Sequence, residues 1–176
     1  MSPEEFLSHA KAEQDKWINP VGRLILAAAS IERSVNEILE VLSPEDIETW
    51  QIADFSQRAE RISKVAKEKL PDTLAKALKD HKRKYWPVMA NRNAIAHNPL
   101  FMEAFATEGA SNARATIRHQ QKNIEFELTD VQKFADEADE VAAGFMMFAM
   151  NFPRVLEHEM QLAHRLLAGM HLELDE

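Results

Sequence analysis

The stretch DTLAKALKDHKRKYWPVMANRNAIAHNP, Asp72 to Pro99, decides how this chain is read. Leu74, Leu78, His81, Tyr85, Val88 and Ile95 recur at helical intervals and define one stripe. Arg92 falls in phase with that stripe, at a step where a hydrophobe would ordinarily sit. A charge in a buried row is costly unless something pairs with it or binds it. Asn93 and His97 are four apart and share a face, rotated about 100° from Arg92. The helix must then stop, because Pro99 bars its own position and biases Asn98 out of the helical region. A fixed cation, an amide and a proton carrier that titrates near neutrality thus gather at the end of a helix expected over 72–97. Pro87, inside it, is expected to kink it.

The string Arg92-Asn93-Ala94-Ile95-Ala96-His97, placed after a long amphipathic helix, resembles the signature of the HEPN superfamily. Those small α domains carry an Arg-x4–6-His motif, with a polar residue commonly following the arginine. The resemblance implies a helical, usually homodimeric protein, and many members are metal-independent ribonucleases of toxin–antitoxin, defence or RNA-processing systems. Carried over residue by residue, Arg92 and His97 match the catalytic pair and Asn93 the polar residue. No cofactor is implied. An RNA substrate, products with 2′,3′-cyclic phosphate ends and a cognate antitoxin are. A subgroup extends the motif to a tyrosine that a partner enzyme modifies. Pro99 occupies that position here and the one tyrosine is Tyr85, so that regulation is not expected. A different class stays open, a non-catalytic HEPN-like dimer that binds a nucleotide or a protein.

Working outward, 176 residues suit one domain with a real core. Hydrophobic residues at 45% with only 4 glycines favour helix over a turn-rich β fold. The absence of cysteine excludes disulfides, thiolate catalysis and zinc–sulfur sites. The opening Met1-Ser2-Pro3-Glu4-Glu5 has neither the basic nor the apolar part of a signal peptide, and the apolar run Val141 to Met150 is about half a membrane span. A cytoplasmic protein with no membrane partner is expected.

A net charge of −8 repels nucleic acid on average, but the charge is unevenly spread. His81 to Phe101 holds no Asp or Glu, while Lys82, Arg83, Lys84 and Arg92 supply +4. Gly109 to Asn123 is also free of acids, and Arg114, Arg118 and Lys122 supply +3. Taking those seven charges from −8 leaves −15 on the remainder, so two basic zones sit on an acidic body. Lys82, Arg83, Lys84 and Arg118 are the candidate nucleic-acid contacts. A solvated helix face explains the lysine–arginine run equally well.

Helix starts are expected at Ser2-Pro3, Asn19-Pro20, Ser43-Pro44 and Ser56, with Pro71-Asp72 before the motif helix. Leu24, Ala28, Ile31, Val35, Ile38 and Leu42 form the stripe of the second helix, interrupted at its border by Glu32 and Asn36, which are candidate partners of Arg92. Beyond Pro99 the period changes to alternation. Ala113 to Arg118 and Ile124 to Leu128 read as a small β hairpin inserted at about 100–128, with Gly109 to Asn112 as a turn. Thr129 and Gln132 form a capping box for the next helix, and Asn151-Phe152-Pro153 restarts the chain as a helical extension over about 152–172 with Leu156, Met160, Ala163, Leu167 and Met170 inward. The fold expected is mainly α, a HEPN-like helical bundle with a small inserted β hairpin, forming a single domain over 1–176. Glu157, Gln161 and His164 share a face with His171 one heptad further on, and a solvated face is expected there rather than a metal site. The chain lacks the paired histidines four apart that a zincin helix needs. Phe145-Met146-Met147-Phe148 reads as core or dimer seam.

Overall fold

Helix dominates because the apolar stripes are long and glycine is scarce, and a computed structural model describes residues 2–107, 110–119 and 124–172. Helix α1 spans Pro3–Leu42 and a 3₁₀ turn follows at Pro44–Asp46. Next come α2 (Ile47–Gln51), α3 (Phe55–Lys69) and α4 (Asp72–Ala96). An antiparallel three-stranded sheet then forms from β1 (Leu100–Thr107), β2 (Ala110–His119) and β3 (Ile124–Phe126), in the order β1-β2-β3. Helix α5 closes the chain at Leu128–Leu172. The chain divides into two compact units. One holds the residues up to Ala29 together with Tyr85–Ala142, and the other Ser30–Lys84 with the residues from Ala143 onward. Gly109 and Lys122, as well as the side chains of Ala163, Leu167, Met170 and His171, lie outside the described residues.

Two helix breaks expected at prolines do not occur. The capping box between Ser2 and Glu5 starts α1: the Ser2 N–H donates to Glu5 Oε2 at 2.7 Å and the Glu5 N–H to Ser2 Oγ at 3.2 Å. The bond from the Ser2 N–H, with the Ser2 hydroxyl, holds the Glu5 carboxyl below its usual value. The helix then runs straight through Pro20. A mid-helix proline costs about 3 kcal/mol. Trp17 and Leu24, 3% and 0% exposed, are buried on either side of it, each worth about 1.5–3 kcal/mol, so burial outweighs the lost bond. Helix α5 likewise passes through Pro153, with Phe152 buried at 1% exposure and Asn151 Nδ2 donating to the Met147 carbonyl at 2.8 Å. The helical extension expected over 152–172 is therefore the continuation of α5. Within it Met160 is exposed rather than inward, since nothing described covers that face. Helix α4 is also continuous across Pro87, which is exposed.

Other caps are placed differently from expectation. Asp54, not Ser56, starts α3: its carboxylate accepts the Gln57 N–H at 2.8 Å while Gln57 Oε1 accepts the Asp54 N–H. Ser43 makes no side-chain cap; its hydroxyl is buried and accepts from Arg61 at 3.3 Å. At α5 the Glu127 N–H donates to Asp130 Oδ2 at 2.9 Å, which displaces Thr129 and Gln132 as the cap.

In the first unit, Trp17, Leu24, Val88, Ile95, Ile117 and Val131 are buried. Arg23 of α1 forks onto Asp136 and Asp139 of α5, at 2.7 and 2.6 Å. The sheet is larger than a hairpin. β1 pairs with β2 from Leu100↔Ile117 to Thr107↔Ala110, so Ala110, Ser111 and Asn112 are strand rather than turn. β3 adds Ile117↔Phe126 and Arg118↔Glu125. Ala115 and Ile117 face inward, and Phe126 meets Phe134 of α5 edge-on at 5.8 Å. In the second unit, Ile31, Val35, Ile38, Ile62, Leu78 and Phe145 are buried. His81 of α4 lies 5.2 and 4.5 Å from the Phe145 and Phe148 rings of α5. No helix among the described residues is long and apolar enough to cross a membrane.

Candidate functional site

The stripe of α4 behaves as its spacing predicts: Leu74, Leu78, Tyr85, Val88 and Ile95 are all buried, and His81 and Arg92 are half-buried in phase with them. The last turn belongs to the first unit. The His97 N–H donates to the Asn93 carbonyl at 3.1 Å, which carries the helical pattern to the motif's end. Asn98 then folds its amide back onto the Ala94 carbonyl and satisfies one of the carbonyls a helix end leaves open. With Pro99 behind it, this cap fixes the direction in which the chain leaves for β1.

Arg92 has its stem packed in the apolar phase and its tip near the surface. Nη1 donates to Asn93 Oδ1 at 2.9 Å. Nε is enclosed by protein and has no hydrogen-bond partner among the described residues. A buried, unmatched N–H costs about 1–3 kcal/mol, so an aliphatic side chain would suit the core better here. Asn93 and His97 are exposed, and the His97 imidazole has no hydrogen-bond partner among the described residues. Five helical steps turn Arg92 and His97 about 140° apart. Within one chain the structure joins Arg92 to Asn93 and sets Asn93 beside His97, but it does not bring the guanidinium against the imidazole.

The expected RNA-binding cations fall in both units. Lys82, Arg83 and Lys84 belong to the second unit. Lys82 is half-buried and donates from Nζ to Ser63 Oγ at 3.1 Å, Arg83 is 3.9 Å from Asp80, and Lys84 is exposed. Arg118, on β2, is bound by Glu103 and stacks over Phe101 at 4.9 Å. Its Nε lies 2.7 Å from Glu125 Oε1, near enough for charge pairing though off the hydrogen-bond direction. The Glu103 bond, with both carboxylates, raises the guanidinium's pKa further above its usual value. Arg114 pairs with Glu127. Arg114 and Arg118 of the acid-free run are thus matched, across the strands, by acids from β1 and from the segment at 125–127.

Glu32 and Asn36, candidates for pairing with Arg92, instead hold Arg58 of α3, whose Nη1 donates to Asn36 Oδ1 at 2.9 Å and Nη2 to Glu32 Oε2 at 3.3 Å. The side chain of Arg58 is 13% exposed. Sequence reading missed this cluster because Arg58 shows no motif; its only signal was the pair of polar residues at the border of the α1 stripe. Glu157 accepts from Gln161 at 3.3 Å, and the described residues contain no group of three or more metal-ligating side chains. Comparisons with protein-family models, with curated proteins and with solved structures return no match.

Proposed function

We propose that the protein is a HEPN-like, metal-independent endoribonuclease. The observation that carries this reading is Arg92: a guanidinium kept in an apolar phase although its Nε has no partner among the described residues, five residues from an exposed imidazole. His97 takes the proton of a ribose 2′-hydroxyl as that oxygen attacks the adjacent phosphorus. Arg92 offsets the charge that builds on the phosphoryl oxygens, and Asn93, bonded to Arg92, orients it or the phosphate. The P–O5′ bond breaks, leaving a 2′,3′-cyclic phosphate and, after protonation, a 5′-hydroxyl. One imidazole per chain is a small acid–base supply, and Arg92 and His97 diverge around their helix. Two motifs facing each other across a two-fold axis resolve both points, so the proposed active form is a homodimer. A toxin, defence or RNA-processing role, with an antitoxin as partner, belongs to the same proposal.

A second reading draws on a separate observation, the engagement of Arg118 by Glu103 and Glu125 and of Lys82 by Ser63. With those cations occupied, a non-catalytic HEPN-like dimer that uses Arg92 to hold a nucleotide phosphate or a partner protein is the alternative. Purified protein incubated with structured and unstructured RNA, with and without EDTA, separates the two. Cleavage that survives EDTA and leaves cyclic phosphate ends supports the nuclease. Absence of cleavage on every RNA selects the binding module.

A further inference from the structure

An open cavity of about 550 Å³ lies between the 3₁₀ turn, α2 and the first turns of α3. Asp46, Thr49, Ile52, Ala53, Gln57 and Arg61 line it, and all six belong to the second unit. Small-molecule sites typically enclose about 300–1,000 Å³, so the space is large enough for a ligand. Asp46 and Arg61 engage each other through one atom each: Arg61 Nη2 donates to Asp46 Oδ2, and also to the Ser43 hydroxyl at 3.3 Å. Arg61 Nη1 and Asp46 Oδ1 have no hydrogen-bond partner among the described residues. Gln57 lies one turn before Arg61 on α3, so the two side chains are neighbours. Its Oε1 is held by the Asp54 N–H, and its Nε2 has no acceptor among the described residues. The Thr49 hydroxyl is likewise without a hydrogen-bond partner among them. Ile52, 89% exposed, adds an uncovered aliphatic surface next to Ala53.

The lining thus offers two donors for an anion, an acceptor for a cation and an apolar strip. A bare anion in this space is repelled by Asp46 and a bare cation by Arg61. A molecule that carries both charges meets an opposite charge at each. We propose that the cavity binds a small zwitterion, a free α-amino acid with an aliphatic side chain. Its carboxylate accepts from Arg61 Nη1 and Gln57 Nε2, which sit at neighbouring positions suited to its two oxygens. Its ammonium donates to Asp46 Oδ1 and to the Thr49 hydroxyl oxygen, and its side chain lies on Ile52 and Ala53. None of the six residues belongs to the motif, so the cavity takes this ligand whether or not the chain cleaves RNA.

Isothermal titration calorimetry on the full-length protein tests this with four probes. L-Leucine carries all three elements, isocaproate lacks the ammonium, isoamylamine lacks the carboxylate and glycine lacks the side chain. Leucine is expected to bind at millimolar concentration, and each incomplete probe to bind on the order of tenfold more weakly. Arg61→Gln and Asp46→Asn would disturb the contact with Ser43 as well, so two other variants decide. Gln57→Glu keeps a carboxyl oxygen for the Asp54 N–H, and so the capping box, but replaces the donor by a negative charge. It should raise the Kd for leucine on the order of tenfold or more with the melting temperature unchanged. Ile52→Ser, at an exposed position, should weaken leucine and leave glycine as it was. No heat with millimolar leucine overturns the site. Leucine binding indifferent to Gln57→Glu places the ligand elsewhere and overturns it too. Isocaproate binding as tightly as leucine removes the ammonium contact and with it the zwitterion.

Discussion

Replacing Arg92 by methionine separates a functional arginine from a structural one. The methionine keeps an unbranched stem in the apolar phase and removes the guanidinium. What is relieved is the enclosed Nε, which has no partner among the described residues and costs about 1–3 kcal/mol. What is lost is the Nη1 bond to the exposed Asn93, worth about 0.5–1.5 kcal/mol net. The balance lies between a loss of about 0.5 and a gain of about 2.5 kcal/mol, and at about 2–4 °C per kcal/mol for a chain of this size that is a rise of at most about 10 °C. Activity should move the other way, because losing one preorganised donor to the developing phosphoryl charge costs about 10²–10³ in kcat. Arg92→Lys retains charge without the planar fork and should fall between. Thermal melting by circular dichroism and RNA cleavage, measured on the same preparations, are sufficient. A melting temperature lowered by more than about 4 °C, roughly 1 kcal/mol or more, would show that Arg92 serves the fold, and the argument from its unmatched N–H would fail.

Three further outcomes are expected. His97→Ala should lower cleavage on the order of 10²–10⁴-fold with melting unchanged, because the side chain is exposed, and EDTA should leave the wild-type rate intact; cleavage that persists in the variant removes His97 from the mechanism. His81 gives a pH dependence. Burial beside Phe145 and Phe148 holds its pKa below the usual 6.5, Lys84 adds to this and Asp80 opposes it, so the unfolded chain takes up the proton first as pH falls. The stability that neutral His81 contributes is full above pH 6.5 and is lost as pH falls from there through the folded value. His81→Leu should therefore flatten the acid limb of melting temperature against pH, and an unchanged limb assigns the acid sensitivity elsewhere. Finally, sedimentation at micromolar concentration should give about twice the 20.1 kDa chain mass. Met147→Glu, at a position 56% exposed on α5, should shift that mass toward the monomer. A monomeric wild type would refute the composite dimer site.

Much of the architecture was legible because helix periodicity is a local property. The stripes of α1 and α4, the stop at Pro99 and the change to alternation beyond it all follow from side-chain spacing and from proline's missing N–H. Breaks were over-read at Pro20 and Pro153, where a local penalty is overridden by burial of Trp17, Leu24 and Phe152, which no short window of sequence reports. β1 was underestimated for a related reason. Leu100–Thr107 alternates poorly, and its strand state follows from pairing with β2 along its whole length.

For the candidate site, the sequence alone determined the residue types and their angular order: Arg92 in the apolar phase, Asn93 and His97 on the adjoining face. A helix has one pitch, so those relations hold wherever it packs. Only the tertiary structure decided which charges are already engaged. Glu32 and Asn36 take Arg58 rather than Arg92, and Glu103 and Glu125 take Arg118. Ion pairs form between residues far apart in the chain, through burial and register, and neither is written in the spacing of either partner.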